Sequence, residues 1–170
     1  METQERRAFL LAKLQAADKP LTGTALAREL GVSRQIIVGD IAIIRASGVE
    51  IYATPQGYMI PAVVSPAVSF TIACRHKHDN LEKELAIIID NGGKVRDVIV
   101  EHPLYGEIKA NLMLSSRREL DEFLARLTES GAQPLSVVTS GVHLHTIEVP
   151  NEKVLANIEQ ELRNEGILFK

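Results

Sequence analysis

The five histidines of the chain all lie after residue 75, and two of them are closely spaced. His143 and His145 form a His-x-His pair in a run that alternates polar and apolar residues, which is typical of a β-strand. Side chains two residues apart on a strand share one face, with their Cα atoms about 7 Å apart. Because imidazole suits first-row divalent ions, the pair predicts a metal site. The alternative is a pair of polar strand residues without a ligand.

Local spacing does not choose the remaining metal ligands clearly. His78 and Glu82 are four residues apart and could share one helical face. His76 and Glu84 are eight apart and need a bend between them. Spacing alone therefore slightly favours the first pair. The fifth histidine, His102, lies in another strand-like run.

Composition excludes several classes of protein. The 19 Lys and Arg against 22 Asp and Glu give a net charge of −3, which rules out a generally basic nucleic-acid coat. Aromatic residues at 4% argue against stacking platforms for single-stranded nucleic acid. The single cysteine, Cys74, leaves no intramolecular disulfide and fits a reducing compartment. With no apolar run of membrane-spanning length and no export signal visible, we expect a cytoplasmic protein without membrane contact.

Residues 1–62 predict a winged helix-turn-helix domain. Gly31 to Ser33 form the sharp turn before the last helix, which Ser33 caps. Two β-rich runs on either side of Pro55-Gln56-Gly57 predict a hairpin, the wing. The apolar spacing predicts three helices, at about 4–16, 25–30 and 33–48.

The exposed start of the third helix can enter the major groove of DNA. Ser33 can donate to a phosphate, Arg34 suits guanine or phosphate, and Gln35 suits adenine. Arg45 could touch the DNA backbone or offset the helix dipole, and Gln56 lies at the predicted wing tip. We expect double-stranded operator DNA as the partner. The domain has few Lys and Arg residues, so each protomer should bind DNA with modest affinity. This favours a homodimer that reads two half-sites.

Residues 68–170 predict an α/β sandwich of order β-α-β-β-α-β-α, so the whole chain is of the α+β class. Two prolines in the segment 61–67 mark the boundary between the domains. Two further short strands are indicated at 135–138 and 167–169. Ser115 and Asn151 are predicted to cap helices. The main predicted elements are a strand at 68–74, a helix at 79–90, strands at 95–102 and 107–114, a helix to about 129, a strand at 142–149 and a helix to 164.

Three segments carry a resemblance to a known family. They are Ser33-Arg-Gln-Ile-Ile-Val-Gly-Asp-Ile41, Val100-Glu-His-Pro-Leu-Tyr-Gly-Glu-Ile108 and Ser140-Gly-Val-His-Leu-His-Thr-Ile147. Together they resemble the niacin-responsive transcriptional repressors, which join a winged helix to a C-terminal three-histidine domain. The resemblance covers essentially the whole chain. It implies a repressor of genes for NAD biosynthesis or niacin uptake, with nicotinic acid as co-repressor.

The resemblance also implies a ligand set for the metal. The histidine after the first strand, the glutamate eight residues on and both histidines of the His-x-His pair correspond to His76, Glu84, His143 and His145. This assignment overrules the local preference for the other histidine and glutamate. Nickel, zinc and iron all suit three imidazoles and a carboxylate.

A binding mode for nicotinic acid follows as a hypothesis. Its pyridine nitrogen could complete the coordination of the metal. Its carboxylate could pair with Arg75 or Lys109, which otherwise are solvated surface charges. His102 and Tyr105 are expected to line the pocket.

We expect a regulator and not an enzyme. No phosphate-cradling glycine loop is seen, and no free general base stands out near the histidines. The alternatives are a metal-dependent small-molecule hydrolase, since an open metal position also serves hydrolysis, and a pure metal sensor.

Overall fold

The computed structural model describes residues 2–61 and 67–169. The chain divides into two units, Met1–Val64 and Ser65–Lys170, and each is described by itself. Of the predicted boundary segment 61–67, residues 62–66 lie outside the described part. Among the described residues, no helix is long and apolar enough to cross a membrane.

The first unit has the predicted winged helix-turn-helix order. Three helices are followed by a two-stranded hairpin, namely α1 (Thr3–Ala16), α2 (Gly23–Leu30), α3 (Arg34–Ala46), β1 (Tyr52–Thr54) and β2 (Gly57–Met59). Thr22 caps α2 and Ser33 caps α3, each through its side-chain oxygen. Gly31 ends α2 in the left-handed conformation, with φ of 65°, that glycine adopts without strain.

The core of the first unit forms where α3 lies against the other helices. One face of α3 is buried, and the opposite face is exposed. This division follows from apolar residues at helical spacing, which bury a stripe and leave the rest to solvent. The main buried side chains are Leu10, Leu14, Leu26, Ile37, Ile41, Ile44 and Ile51.

The hairpin packs against the segment between α1 and α2. Leu21 and Tyr58 exchange two backbone hydrogen bonds, of 2.9 and 2.8 Å, so Leu21 extends the hairpin by one bridge. At Gly57, with φ of 135°, an added Cβ would collide with the Leu21 backbone. The base of the wing therefore packs so closely on Leu21 that only glycine fits at position 57.

The second unit follows the predicted order of strands and helices. It consists of β3 (Val68–Arg75), a 3-10 turn (His78–Asn80), α4 (Leu81–Asp90), β4 (Lys94–His102), β5 (Gly106–Leu114), α5 (Arg117–Ser130), a 3-10 turn (Leu135–Thr139), β6 (Val142–Val149) and α6 (Glu152–Asn164). The strands pair antiparallel in the order β3-β6-β4-β5. Alternate residues of β6 are buried, and its apolar ones join residues of α4, α5 and α6 in one core.

Three local predictions in this unit are wrong. Residues 135–138 form a 3-10 turn instead of a strand, because the chain must reverse after Pro134 to enter β6. Ser116, not Ser115, caps α5, and Glu119 accepts hydrogen bonds from both the backbone and the hydroxyl of Ser115. Residues 167–169 make only one isolated bridge to β3.

Candidate functional site

Two neighbouring strands bring the candidate ligands together. His143 and His145 lie on the buried face of β6. Cys74 on β3 is the direct register partner of His143, and Ile72 is the partner of His145. His76 follows β3 directly and is buried as well. Because side chains alternate along a strand, these residues all face α4.

Helix α4 supplies Glu84 to this cluster. Glu84 is fully buried, in the apolar stripe that also contains Leu81, Leu85 and Ile88. Its carboxylate lies 2.6 Å from Nε2 of His76, 3.1 Å from Nε2 of His143 and 3.5 Å from Nε2 of His145. A carboxylate in the apolar stripe of a helix is costly unless it is paired, and this is a signal the sequence already contains.

The alternative pair suggested by local spacing lies differently. His78 and Glu82 are both exposed, whereas Glu84 is buried against His76. The 3-10 turn at His78–Asn80 supplies the bend that brings residues eight apart together, and helical spacing alone does not reveal it.

Each of the three rings is fixed by a backbone carbonyl. Nδ1 of His76 lies 2.6 Å from the carbonyl of Lys77, and Nδ1 of His145 lies 2.6 Å from the carbonyl of Asp97. Nδ1 of His143 lies 2.9 Å from the carbonyl of Gly141. Since a carbonyl only accepts, each Nδ1 carries a proton and donates it. Every Nε2 then faces the carboxylate, with a lone pair when the ring is neutral.

This geometry requires positive charge between the rings and Glu84. Burial opposes ionisation of Glu84, but attraction to His145 and hydrogen bonds from the other two histidines hold its pKa well below the ordinary value. Burial also opposes the charge on His76 and His145, yet Glu84 raises the pKa of both. Protons on the rings can supply the charge, and so can a metal ion.

The donor set fits a divalent transition ion. Nε2 of His145 is buried and has no hydrogen-bond partner among the described residues. Three imidazole nitrogens and one carboxylate are the ligands that zinc, nickel and iron accept. The carbonyl behind each ring is the support usual for metal-binding histidines. Cys74, Glu84 and His143 each offer a ligand atom, all within 4.8 Å of one another.

Gly141 shapes the site at the start of β6. Its φ of 94° suits only glycine, and an added Cβ would come closer than 3.0 Å to the carbonyl oxygen of His76. The Gly141 carbonyl accepts hydrogen bonds from the backbone N–H of His76 and from Nδ1 of His143. Both histidines are therefore positioned by one peptide.

Asp97 is a buried residue that the sequence reasoning missed. Its carbonyl holds His145, and its carboxylate accepts from the Thr146 N–H at 2.9 Å and from Nζ of Lys109 at 3.0 Å. It lies within the irregular pairing of β4 between Val95 and Ile99. A charged residue two positions after Val95, on the buried face of β4, is the signal that could have found it.

The predicted effector-binding residues lie away from the cavities beside the cluster. Arg75 is exposed, with its guanidinium 5.8 Å from the centre of the Phe169 ring. Nδ1 of His102 accepts a hydrogen bond from the Tyr105 N–H at 3.3 Å, and the two rings lie 5.0 Å apart. Lys109 is engaged by Asp97. A turn thus holds the side chain of His102, and an ion pair holds that of Lys109.

Three cavities among the described residues adjoin the histidines: a small apolar one of about 50 Å³ beside His143 and His145, and two larger ones whose lining charges differ. One, of about 290 Å³, lies beside His76 and is lined also by Lys77 and His78. The other, of about 420 Å³, lies beside His143 and is lined by Glu101 and Glu107 among others. The first has the cationic Lys77 at its wall, and the second has two anionic glutamates.

The predicted DNA-contacting residues at the start of α3 are exposed. Ser33 accepts the Ile36 N–H at 3.3 Å, and Arg34 and Gln35 follow it in the first turn of the helix. Gly23 leaves room for the stem of Arg34, which lies 3.6 Å from the position a Cβ there would take. The geometry leaves these side chains accessible to a groove.

The other two predicted DNA contacts are Arg45, which is exposed, and Gln56, which is half-buried. Nε of Arg45 donates to the Ile51 carbonyl at 2.7 Å, and its guanidinium lies 6.0 Å from the centre of the Tyr58 ring. The amide atoms of Gln56 are buried and have no hydrogen-bond partner within the described residues. The tight packing of Gly57 on Leu21 keeps this tip against its own domain.

An ion-pair cluster fixes α3 to α1. Asp40 is 3% exposed and accepts from Nε of Arg6 at 2.6 Å and from Nε of Arg7 at 2.9 Å. Two cations converge on one carboxylate, so each of its oxygens is satisfied. The sequence reasoning did not assign this contact.

Comparison with known proteins covers both units. The HTH domain family matches residues 6–59, and the 3H domain family matches residues 69–170. A probable transcription repressor NiaR of Thermotoga maritima is 41% identical over 167 residues, which cover 98% of this chain and 95% of that protein. The transcription repressor NadR of Bacillus subtilis is 40% identical over 168 residues, covering 97% of this chain and 93% of that protein.

Proposed function

The chain belongs to the family of the NiaR and NadR transcription repressors, and we propose that it responds to nicotinic acid as co-repressor through a metal-containing regulatory domain. It binds DNA through its HTH domain. The genes it represses would be those of NAD biosynthesis or niacin uptake, and it would act in the cytoplasm as a homodimer on double-stranded operator DNA.

One observation supports the metal part of this proposal most directly. The Nε2 atoms of three buried histidines face one buried carboxylate, while their Nδ1 atoms donate to carbonyls. His76, Glu84, His143 and His145 would hold the ion. When bound, a nickel, zinc or iron ion would supply a Lewis acid and neutralise the carboxylate.

Nicotinic acid is an anion at neutral pH, so its binding is favoured in one of the two larger cavities beside the histidines. Lys77 lines the cavity beside His76, so a carboxylate there would meet a cationic group. Glu101 and Glu107 at the other cavity would repel it. We therefore place the effector beside His76, with Lys77 in the role first expected of Arg75 or Lys109.

Regulation requires the effector to distinguish two arrangements of the repressor. A co-repressor strengthens DNA binding only if it binds the DNA-competent arrangement more tightly than the other. The spacing of two recognition helices in a dimer is the quantity that such a preference would set.

An operator-shift assay on protein of measured metal content tests the proposal. Nicotinic acid, nicotinamide and NAD are compared, before and after chelation of the metal. We expect nicotinic acid to tighten operator binding and chelation to abolish that response. If metal alone changes the affinity, the protein is a metal sensor. Turnover of a small amide or ester, with no effect of either on DNA binding, would support the hydrolase alternative.

The DNA-reading role is tested separately with Arg34→Ala. Loss of a base contact should cost roughly 1–3 kcal/mol of discrimination between operator and random DNA. Arg28→Ala removes the same charge from an exposed position of α2 and should affect both DNAs alike. Unchanged discrimination in Arg34→Ala would contradict the role assigned to this residue.

A further inference from the structure

We propose that the thiol of Cys74 is an additional ligand of the metal at Glu84, so that the site combines sulfur with nitrogen and oxygen. This inference rests on the metal site of the proposed function and extends its ligand set. The site would accordingly prefer a thiophilic ion such as zinc over hard ions such as magnesium or manganese.

Strand register places Cys74 at the centre of the cluster. It lies directly opposite His143 in the β3–β6 pair and two residues before His76. Directly opposite residues on antiparallel strands have Cβ atoms about 4.5–5.5 Å apart. The sulfur, a Glu84 oxygen and a His143 nitrogen all lie within 4.8 Å of one another, so one ion could reach all three.

An independent observation also indicates a ligand at this position. Nε2 of His145 is buried without a hydrogen-bond partner among the described residues, and the His145 residue is 1% exposed. It faces the same Glu84 carboxylate from the next position along β6. A buried nitrogen is seldom left unpaired, and an ion between these groups would satisfy it.

Binding of an ion would change the protonation of the Cys74 thiol. Only the thiolate is a metal ligand. As the sulfur–metal bond forms, the S–H bond breaks and the proton leaves to the buffer.

The competing interpretation is that Cys74 is a small core residue. Cysteine is among the most buried residue types and often packs as an apolar side chain. In that case the metal would be bound by nitrogen and oxygen alone. The two interpretations differ in one measurable property, the presence of a sulfur–metal bond.

Titration of the full-length protein with Co²⁺ measures that bond. Because Cys74 is the single cysteine of the chain, any thiolate-to-cobalt charge-transfer band must come from it. We expect this near-ultraviolet band to rise in step with the visible cobalt bands and to saturate at one ion per chain. Visible bands without the charge-transfer band would overturn the role of Cys74 and leave the metal site intact. If no cobalt binds, both proposals fail.

A matched pair of variants extends the test to affinity. Cys74→Val keeps an apolar side chain at the position and should lower Zn²⁺ affinity by about tenfold or more. Ile72→Val, at the preceding position on the same face of β3, should leave Zn²⁺ affinity unchanged. Equal Zn²⁺ affinity in Cys74→Val and wild type would contradict the inference. Circular dichroism checks that both variants fold.

Discussion

Asp40 in the N-terminal unit and Glu84 in the C-terminal unit are both deeply buried carboxylates, and they are satisfied in different ways. Asp40 in the N-terminal unit is 3% exposed and meets two arginines. Glu84 in the C-terminal unit is 0% exposed and meets three histidines. Guanidinium groups are always charged, whereas imidazoles are charged only when protonated.

The difference separates a structural ion pair from the proposed metal site. Arg6 and Arg7 give Asp40 a permanent countercharge. The cluster is therefore neutralised without another cation, and it holds α3 on α1. Glu84 lacks a fixed countercharge, and the carbonyls behind the rings direct three Nε2 atoms at it. Arginines thus neutralise one buried carboxylate permanently, whereas the other is neutralised by protons on the rings or by the proposed metal ion.

The largest expected effect comes from removing the charge on Glu84. Glu84→Gln should lower affinity for divalent transition ions by about 100-fold or more, since even outer-shell partners cost 10- to 100-fold. The measurement is isothermal titration with Zn²⁺ and Ni²⁺. The control is Glu82→Gln, an exposed position on the same helix, which should bind metal as wild type does.

This pair of variants also tests the contrast with Asp40. Asp40→Asn changes the buried carboxylate of the N-terminal unit and should leave metal affinity unaltered. If Glu84→Gln retained full affinity, or if Glu82→Gln lost it, the ligand assignment would be incorrect and the comparison between the two clusters would fail.

A smaller effect is expected when the backbone of the histidine cluster is disturbed. Gly141→Ala introduces both left-handed strain and a collision with the His76 carbonyl. We expect about a tenfold loss of Zn²⁺ affinity, because two histidines depend on this peptide.

Gly131→Ala provides the matched control. It carries similar strain, with φ of 65°, but an added Cβ meets nothing within 4 Å. It should cost about 1–2 kcal/mol of stability and leave metal affinity unchanged. Equal metal affinity in the two variants would show that the cluster does not depend on the Gly141 peptide.

The smallest expected effect is the acid sensitivity of the Asp40 cluster. Burial opposes the charge on Asp40, but hydrogen bonds from Arg6 and Arg7 hold its pKa below the ordinary value of 3.8. A carboxyl with a lowered folded-state pKa stabilises the fold above its unfolded pKa and loses that contribution as pH falls through the folded value. Asp40→Asn should therefore melt lower than wild type near neutral pH, by about 5 °C.

The pH dependence of that difference is the test. We expect the melting difference to be constant near neutral pH and to shrink as the pH falls below 3.8. Asp90→Asn, at an exposed carboxylate in the other unit, is the control and should change the melting temperature less. A difference that does not depend on pH would show that the Asp40 charge contributes no stability.

The order of helices and strands could be predicted because local signals agree with the tertiary structure. Gly31 and Ser33 mark the turn before α3 by backbone and capping preferences that act within a few residues. The alternation in β6 likewise predicts its buried face. By contrast, Leu135–Thr139 contains β-branched residues yet forms a 3-10 turn, because the route of the chain overrides propensity.

The residues of the site could be predicted only in part from their spacing in the sequence. The His143–His145 pair follows from strand parity, but the pairing of His76 with Glu84 depends on a 3-10 turn that shifts the phase of α4. The family resemblance supplied that assignment, and local spacing did not. The alternation of side chains along β4 could not predict the surroundings of His102, because its ring accepts hydrogen bonds from the turn that follows the strand.

The shared carbonyl of Gly141 has a mechanical consequence. It accepts from the His76 backbone and from the His143 ring, and the Gly141 N–H in turn donates to the Ser136 carbonyl at 2.9 Å. A molecule that displaces the 135–139 segment would therefore shift the backbone of His76 and the ring of His143 together.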